Sequence, residues 1–171
     1  VGANNNIQPG QGFTMKGTED TDFDNLQLYD FRGRPNNGTI TRPVYGDDIV
    51  IFVGNPYPSH VDLREFFDTN TSVEAQALFY EKDPTSDTHI INEIRSGFGV
   101  WVPNGGDNIP NNTVYIGTTG NTDSGVFTRA TYTMYDLNGN PTGGPQGYGL
   151  DYGNLQHRFA AIGQGFQVIG K

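Results

Sequence analysis

The chain predicts an all-β fold, an antiparallel, jelly-roll-like β-sandwich with one short helix, and three observations carry that reading. Its 171 residues include 24 Gly and 10 Pro, with Asn and Thr abundant and strong helix formers scarce, which is the composition of short strands joined by tight turns. Nine segments alternate or run continuously apolar at short spacing, and Gly, Pro or Asn punctuates each of them. One stretch only has apolar residues at helical spacing.

In sequence order, "GFTMKG" (12–17) sets Phe13 and Met15 on one face and Thr14 and Lys16 on the other. "NLQLYDF" (25–31) alternates in the same way, and "GTITRPVY" (38–45) is a weaker alternation whose proline suits an edge. "DIVIFVG" (48–54) is continuously apolar, the mark of a central strand buried on both faces. "SHVDLREFFDTN" (59–70) spaces Val61, Leu63, Phe66 and Phe67 helically, with Ser59 as the expected cap. "ALFYEK" (77–82), "GFGVWVP" (97–103), "TVYIG" (113–117), "TRATYTMYD" (128–136) and a closing "GFQVIG" read as further strands, and the glycine-rich stretch 138–154 reads as a long loop.

One phrase occurs twice. "GQGFTMKG" at 10–17 and "GQGFQVIG" at 163–170 share both outer glycines, the Gln, the central Gly and the Phe. Glycines there permit positive φ and close backbone approach. The simplest architecture places both copies near one another in one sheet, with Phe13 and Phe166 in equivalent inward positions.

The totals exclude several partner classes. Net charge is −9, and the ten Lys and Arg are spread thinly, so no basic face for nucleic acid is expected. No run approaches the ~18 apolar residues of a membrane helix, so membrane insertion is not expected either. Zero cysteines remove disulfide and thiolate chemistry. The length fits one module, residues 1–171, and a start at Val without Met reads as a piece of a larger protein.

The residues Gly54, Asn55, Pro56, Tyr57, Pro58 and Ser59 ("GNPYPS") form a rigid corner by their own chemistry. Two prolines fix φ and push Asn55 and Tyr57 toward extended geometry, and Tyr57-Pro58 is a candidate cis bond. Upstream stand Gly12-Phe13 with Lys16-Gly17, and then Phe31-Arg32-Gly33 with Pro35-Asn36-Asn37-Gly38. Downstream stand Leu78-Phe79-Tyr80 and the closing Gly163-Gln164-Gly165-Phe166. This ordered series, over most of the sequence, resembles the GNPYPS-containing β-sandwich module of secreted and cell-surface Bacteroidota proteins exported by the type IX secretion system. The family's aromatic strand usually carries a Trp that Leu78-Phe79-Tyr80 lacks. The resemblance implies an extracellular or cell-surface module with no catalytic residues to carry over.

Candidate site residues fall into three groups. Asp20, Asp22 and Asp24 in "EDTDFDN" alternate as ligands for Ca²⁺ would, although the glycine and glutamate of an EF-hand loop are missing. Asp136, Asn138 and Asn140 repeat that spacing, and an acidic, solvated turn is the competing reading of both. Trp101 points outward if the face of Phe98, Val100 and Val102 is the core, and could then stack on a sugar ring, while packing in the core or against a partner domain is the competing reading. Tyr148 and Tyr152 flank Asp151 in the glycine-rich stretch, a composition suited to hydroxyl-rich ligands. For hydrolysis, Glu65, Glu74, Glu81 and Glu93 are the available carboxylates, and their separation is not readable from sequence. His60, His89 and His157 are too dispersed for a metal set, and Ser96 lacks the G-x-S-x-G context.

The expectation is therefore a non-catalytic extracellular module acting in adhesion or assembly, as a fibre or tandem array. It would have no cofactor beyond the Ca²⁺ considered above. Its partners would be other domains or copies of the same protein, or surface glycans. A carbohydrate-binding module is the alternative, and a polysaccharide-degrading enzyme the third reading.

Overall fold

The punctuated apolar segments pair into antiparallel ladders in a computed structural model that describes residues 6–14, 32–86, 88, 90–103, 125–149 and 158–171. In sequence order these are β1 (Val50–Gly54), β2 (Val61–Asp62), helix α1 (Leu63–Thr69), β3 (Ala77–Lys82), β4 (Ser96–Val102), β5 (Val126–Thr128), β6 (Thr131–Tyr135), β7 (Pro141–Tyr148), β8 (Phe159–Ala160) and β9 (Gly165–Ile169). The main sheet runs β1-β9-β3-β4-β6-β7, with β5 also on β4, and β2 pairs β8 separately. The fold is all-β, antiparallel and sandwich-like, with one short helix.

Register decides which residues meet. Val53 lies opposite Phe166 and Ile51 opposite Val168; Ala77 lies opposite Trp101 and Phe79 opposite Gly99. Paired residues share a face, so Ile51, Val53, Phe166, Val168, Ala77, Phe79 and Trp101 all project to one side. Helix α1 covers that side with Leu63 and Phe67, four residues apart on one stripe. The Phe67 ring stacks on Trp101 with centroids 6.2 Å apart, and Phe66 meets Phe166 edge-on at 5.7 Å. Each fully buried ring of this kind contributes about 1.5–3 kcal/mol of transfer free energy.

Helix α1 starts one turn later than Ser59 suggests. Asp62 is the cap, its Oδ1 accepting from the Arg64 N–H at 3.0 Å. The Ser59 carbonyl instead accepts from Asn55. The helix ends where Asn70 returns both its backbone and its side-chain N–H to the Phe66 carbonyl.

Several expectations change. "DIVIFVG" is not a central strand: β1 stands at the end of the strand order, its residues half-buried or exposed. Its outer edge is covered, among the described residues, only by 10–12, through Gly12 N–H to the Phe52 carbonyl and Gly54 N–H to the Gly10 carbonyl. Residues 38–45 form no strand. The run 128–136 breaks at Arg129-Ala130 into β5 and β6, both along one edge of β4. Part of the expected long loop is β7, a strand of prolines and glycines held to β6 around an Asp136–Asn140 turn. The Tyr57-Pro58 bond is trans. The segments 25–31 and 113–117 lie outside the described residues.

The repeated phrase forms the same local structure twice. Gly10 and Gly163 have φ of 80° and 73°, each at the third position of a four-residue turn. Gln11 N–H returns to the Gln8 carbonyl, and Gln164 N–H to the Ala161 carbonyl, both at 3.0 Å. In both copies the Gln side chain folds back, so that Oε1 accepts from the first residue of the turn: Gln8 N–H at 3.3 Å and Ala161 N–H at 2.8 Å. A glycine at this position is what such a turn demands. The two copies flank β1, Gln11 bridging Val53 from one edge while Phe166 pairs with Val53 from the other. They are neighbours through a shared strand, but Phe13 and Phe166 are not equivalent: Phe13 is 45% exposed and Phe166 is 1% exposed.

Candidate functional site

The corner at 54–59 is built from side-chain bonds to backbone. Asn55 is buried, and its Nδ2 donates to the carbonyls of Ser59 (2.8 Å), Ala161 (3.0 Å) and Ala160 (3.2 Å). Its Oδ1 accepts from Tyr57 N–H, and its own N–H reaches the Gln164 carbonyl. One asparagine thus closes the corner on itself and ties it to the second copy of the repeated phrase.

The segment Pro35-Asn36-Asn37-Gly38 is fastened to the same corner. Asn36 Nδ2 donates to the Pro56 carbonyl and the Tyr57 hydroxyl donates to the Gly38 carbonyl, both at 2.8 Å. Farther along, Arg42 Nε donates to the Pro9 carbonyl, in the turn that opens the first copy. The 36–38 segment, the 54–59 corner and the two repeated turns, separated along the sequence, therefore meet in space.

Two clefts flank the corner, and residues 54–57 line both. One, of about 800 Å³, lies between the 38–44 segment and α1 and includes His60, Asp62 and Glu65. The other, of about 820 Å³, is formed by the two repeated turns and the 32–36 segment. Ile7, Phe13 and Ile162 line this second cleft and all three are exposed. Its charged lining among the described residues is Arg32 and Arg34, in a protein with 19 Asp and Glu. Exposed apolar side chains gathered at one concave place are the usual signature of a contact surface.

Asp62 is held by a fork. Arg158 donates from Nε to Oδ1 at 3.0 Å and from Nη2 to Oδ2 at 2.6 Å, while the Arg158 carbonyl accepts from Leu63 N–H. The Arg158 hydrogen bonds, with help from the Arg64 backbone N–H, hold the Asp62 carboxyl below its usual range. The pair locks β2 and the start of α1 to β8.

Glu81 is the opposite case. Both carboxylate oxygens are buried, and neither accepts a hydrogen bond from any described residue. It projects from β3 on the core side, where Gly99 and Gly149 leave the space it fills; a Cβ on either would collide with it or with Phe127. Burial raises its pKa, so folding shifts the group toward its protonated form relative to the unfolded chain. The associated stability is complete below the ordinary carboxylate range and drains away as pH rises above it. Neither cleft reaches Glu81.

The remaining sequence candidates are placed as follows. Trp101 does not point outward. It is 1% exposed and lies between Phe67 and Gly125, so it is a core residue and cannot stack on a sugar. The outward face of β4 is instead that of Phe98, Val100 and Val102, where Phe98 meets Tyr80 at 5.6 Å. Tyr148 ends β7, 61% exposed, with the Arg129 guanidinium 5.7 Å from its ring centre. Asp151 and Tyr152, like Asp20, Asp22 and Asp24, lie outside the described residues. Asp136 closes its turn by accepting from Asn138 and Asn140 N–H. Among the described residues, no group of three His, Cys, Asp or Glu could hold a metal ion, and no helix is long and apolar enough to cross a membrane.

A family model described as a domain of unknown function, DUF8693, matches residues 1–170. No curated protein and no solved structure matches the sequence significantly.

Proposed function

The chain belongs to the DUF8693 family, and we propose that it acts as a non-catalytic extracellular module of a larger exported bacterial protein, in adhesion or assembly. The observation that carries this reading is the convergence of the motif series. Among the residues that resemble the exported Bacteroidota module, Asn55 ties the 54–59 corner by its side chain to the second repeated turn, Asn36 and Tyr57 fasten the 36–38 segment to it, and the Gly54 backbone N–H reaches the first turn. They shape a cleft whose rim presents Ile7, Phe13 and Ile162 to solvent. The polar groups of this corner act on backbone, which suits a rigid scaffold. Copies of the same protein or neighbouring modules are the partners that an apolar rim of this kind fits.

Sedimentation velocity on the wild type and on a Phe13→Asp/Ile162→Asp double variant tests the proposal. Concentration-dependent association of the wild type, lost in the variant at unchanged melting temperature, is the expected result. A wild type that stays monomeric at the highest attainable concentration would end the assembly reading. Release of reducing sugar from a polysaccharide panel would replace it with an enzymatic one.

A second reading, carbohydrate binding, rests on Tyr148, whose ring is exposed and accompanied by Arg129. Retention on an affinity gel of an immobilised polysaccharide, abolished by Tyr148→Ala, would favour it.

A further inference from the structure

The sequence has three Asn-Gly pairs, at 37–38, 104–105 and 138–139, of which the second lies outside the described residues. The other two differ in how their backbone nitrogen is held. Gly139 N–H is bonded to the Asp136 carbonyl at 3.0 Å, and Asn138 N–H to the Asp136 carboxylate at 2.9 Å. That carboxylate's pKa is lowered by its bonds to Asn140, so it stays ionised beside the turn. Asn37 and Gly38 are both exposed, and among the described residues neither the Asn37 carboxamide nor the Gly38 nitrogen has a hydrogen-bond partner. No described atom lies within 4 Å of where a Gly38 side chain would stand.

We propose that Asn37 is a site of spontaneous deamidation, a chemical modification that alters the corner from within. Base removes the proton from the Gly38 amide nitrogen, and that nitrogen attacks the carboxamide carbon of Asn37. The new C–N bond closes a five-membered imide as the bond from Cγ to Nδ2 breaks and ammonia departs with the proton it needs. Water then opens the ring. Attack at Cγ gives aspartate, and attack at the backbone carbonyl of residue 37 gives isoaspartate. The net change is one water consumed and one ammonia released.

The position gives the reaction its consequence. Asn37 stands between two anchors, Asn36 Nδ2 on the Pro56 carbonyl and the Tyr57 hydroxyl on the Gly38 carbonyl. Isoaspartate inserts one extra carbon into the backbone between them, so both bonds cannot keep their register. Either product also adds a negative charge beside a cleft that Arg32 and Arg34 line.

The test ages the intact folded protein in mildly alkaline buffer and maps peptides by mass spectrometry, with an isoaspartyl methyltransferase to label the isomer. Asn37 is expected to convert about tenfold faster than Asn138, whose attacking nitrogen must first lose its bond. Asn37→Gln should remove the fast conversion while leaving the circular dichroism and melting curve unchanged. Conversion at Asn138 as fast as at Asn37 would overturn the inference. So would an Asn37 that stays intact in the folded protein but converts once it is unfolded in urea.

Discussion

The two copies of the repeated phrase make one turn and meet two fates. Each places a glycine at positive φ, closes a backbone bond across the turn and folds its glutamine back onto the first residue. Beyond the turn they diverge. The second copy continues as β9, paired with both β1 and β3, and buries Phe166 against Phe66 and Phe79. The first copy, among its described residues, makes two backbone bonds to β1 and leaves Phe13 at the rim of a cleft. The shared Gly-Gln closes the same turn after two different residue pairs, Gln8-Pro9 and Ala161-Ile162; whether the phenylalanine after it becomes core depends on which edge of β1 the copy meets and on what α1 covers.

This contrast can be broken experimentally, beginning with the rings. Phe166→Ala should destabilise the protein by about 3–5 kcal/mol, because it opens a cavity beneath α1. Phe13→Ala should change stability by no more than about 0.5 kcal/mol. Equal losses in chemical denaturation would mean that the two positions are alike after all.

Asn55 is the next largest effect, since its amide closes the corner on Ser59 and Tyr57 and, of the two repeated turns, reaches that of the second copy. Asn55→Ala leaves the carbonyls of Ser59, Ala160 and Ala161 without this donor, at a cost of roughly 2–3 kcal/mol in urea unfolding. Hydrogen exchange should speed up at Gln164 and stay unchanged at Gln11.

The turn glycines come third. Gly163→Ala forces a side chain into positive φ with nothing near it, costing about 1–2 kcal/mol. Gly10→Ala adds a contact with Ile40 Cγ2 at 3.3 Å, so it should cost more, the one place where the first copy is the more sensitive. Thermal melts of the two single variants decide this.

The smallest effect is electrostatic. Asp62 has its pKa lowered in the folded protein, so its pairing with Arg158 stabilises above the ordinary aspartate value and is lost as pH falls through the lower folded one. Asp62→Asn keeps a competent helix cap while removing the charge, and should cost under about 1 kcal/mol near neutral pH. The melting temperatures of the two proteins should converge below about pH 3.9; a gap that persists in acid would assign the effect to packing.

Much of this architecture is legible in the sequence, and the failures have physical causes. "ALFYEK" is β3 to the residue, because alternation over six positions leaves one register. Alternation also finds β4 but leaves open which of its two faces is the core. Gly97 and Gly99 look like solvent positions, yet they are core positions where Glu81, Phe127 and neighbouring backbone occupy the space that side chains would need. That ambiguity is what lets Trp101 resemble a ligand residue. "PTGGPQGY" hides a strand because glycine and proline have low strand propensity, and its pairing with β6 overrides that preference. The 54–59 corner is recognisable as rigid from its prolines. Its fastening by Asn36, Asn55 and Tyr57 joins residues up to 106 positions apart, which no local pattern reports.

The placement of the two copies on either edge of β1 also sets how the module would bear mechanical load. Both run antiparallel to β1 and hence parallel to each other, so a pull on opposite ends of the polypeptide would stress their ladders in shear, with neighbouring bonds resisting together. The first strap, with two backbone bonds among its described residues, would part before the five-residue pairing of β9. A tether built from such units would yield first at its leading end while the rest of each sheet stayed closed.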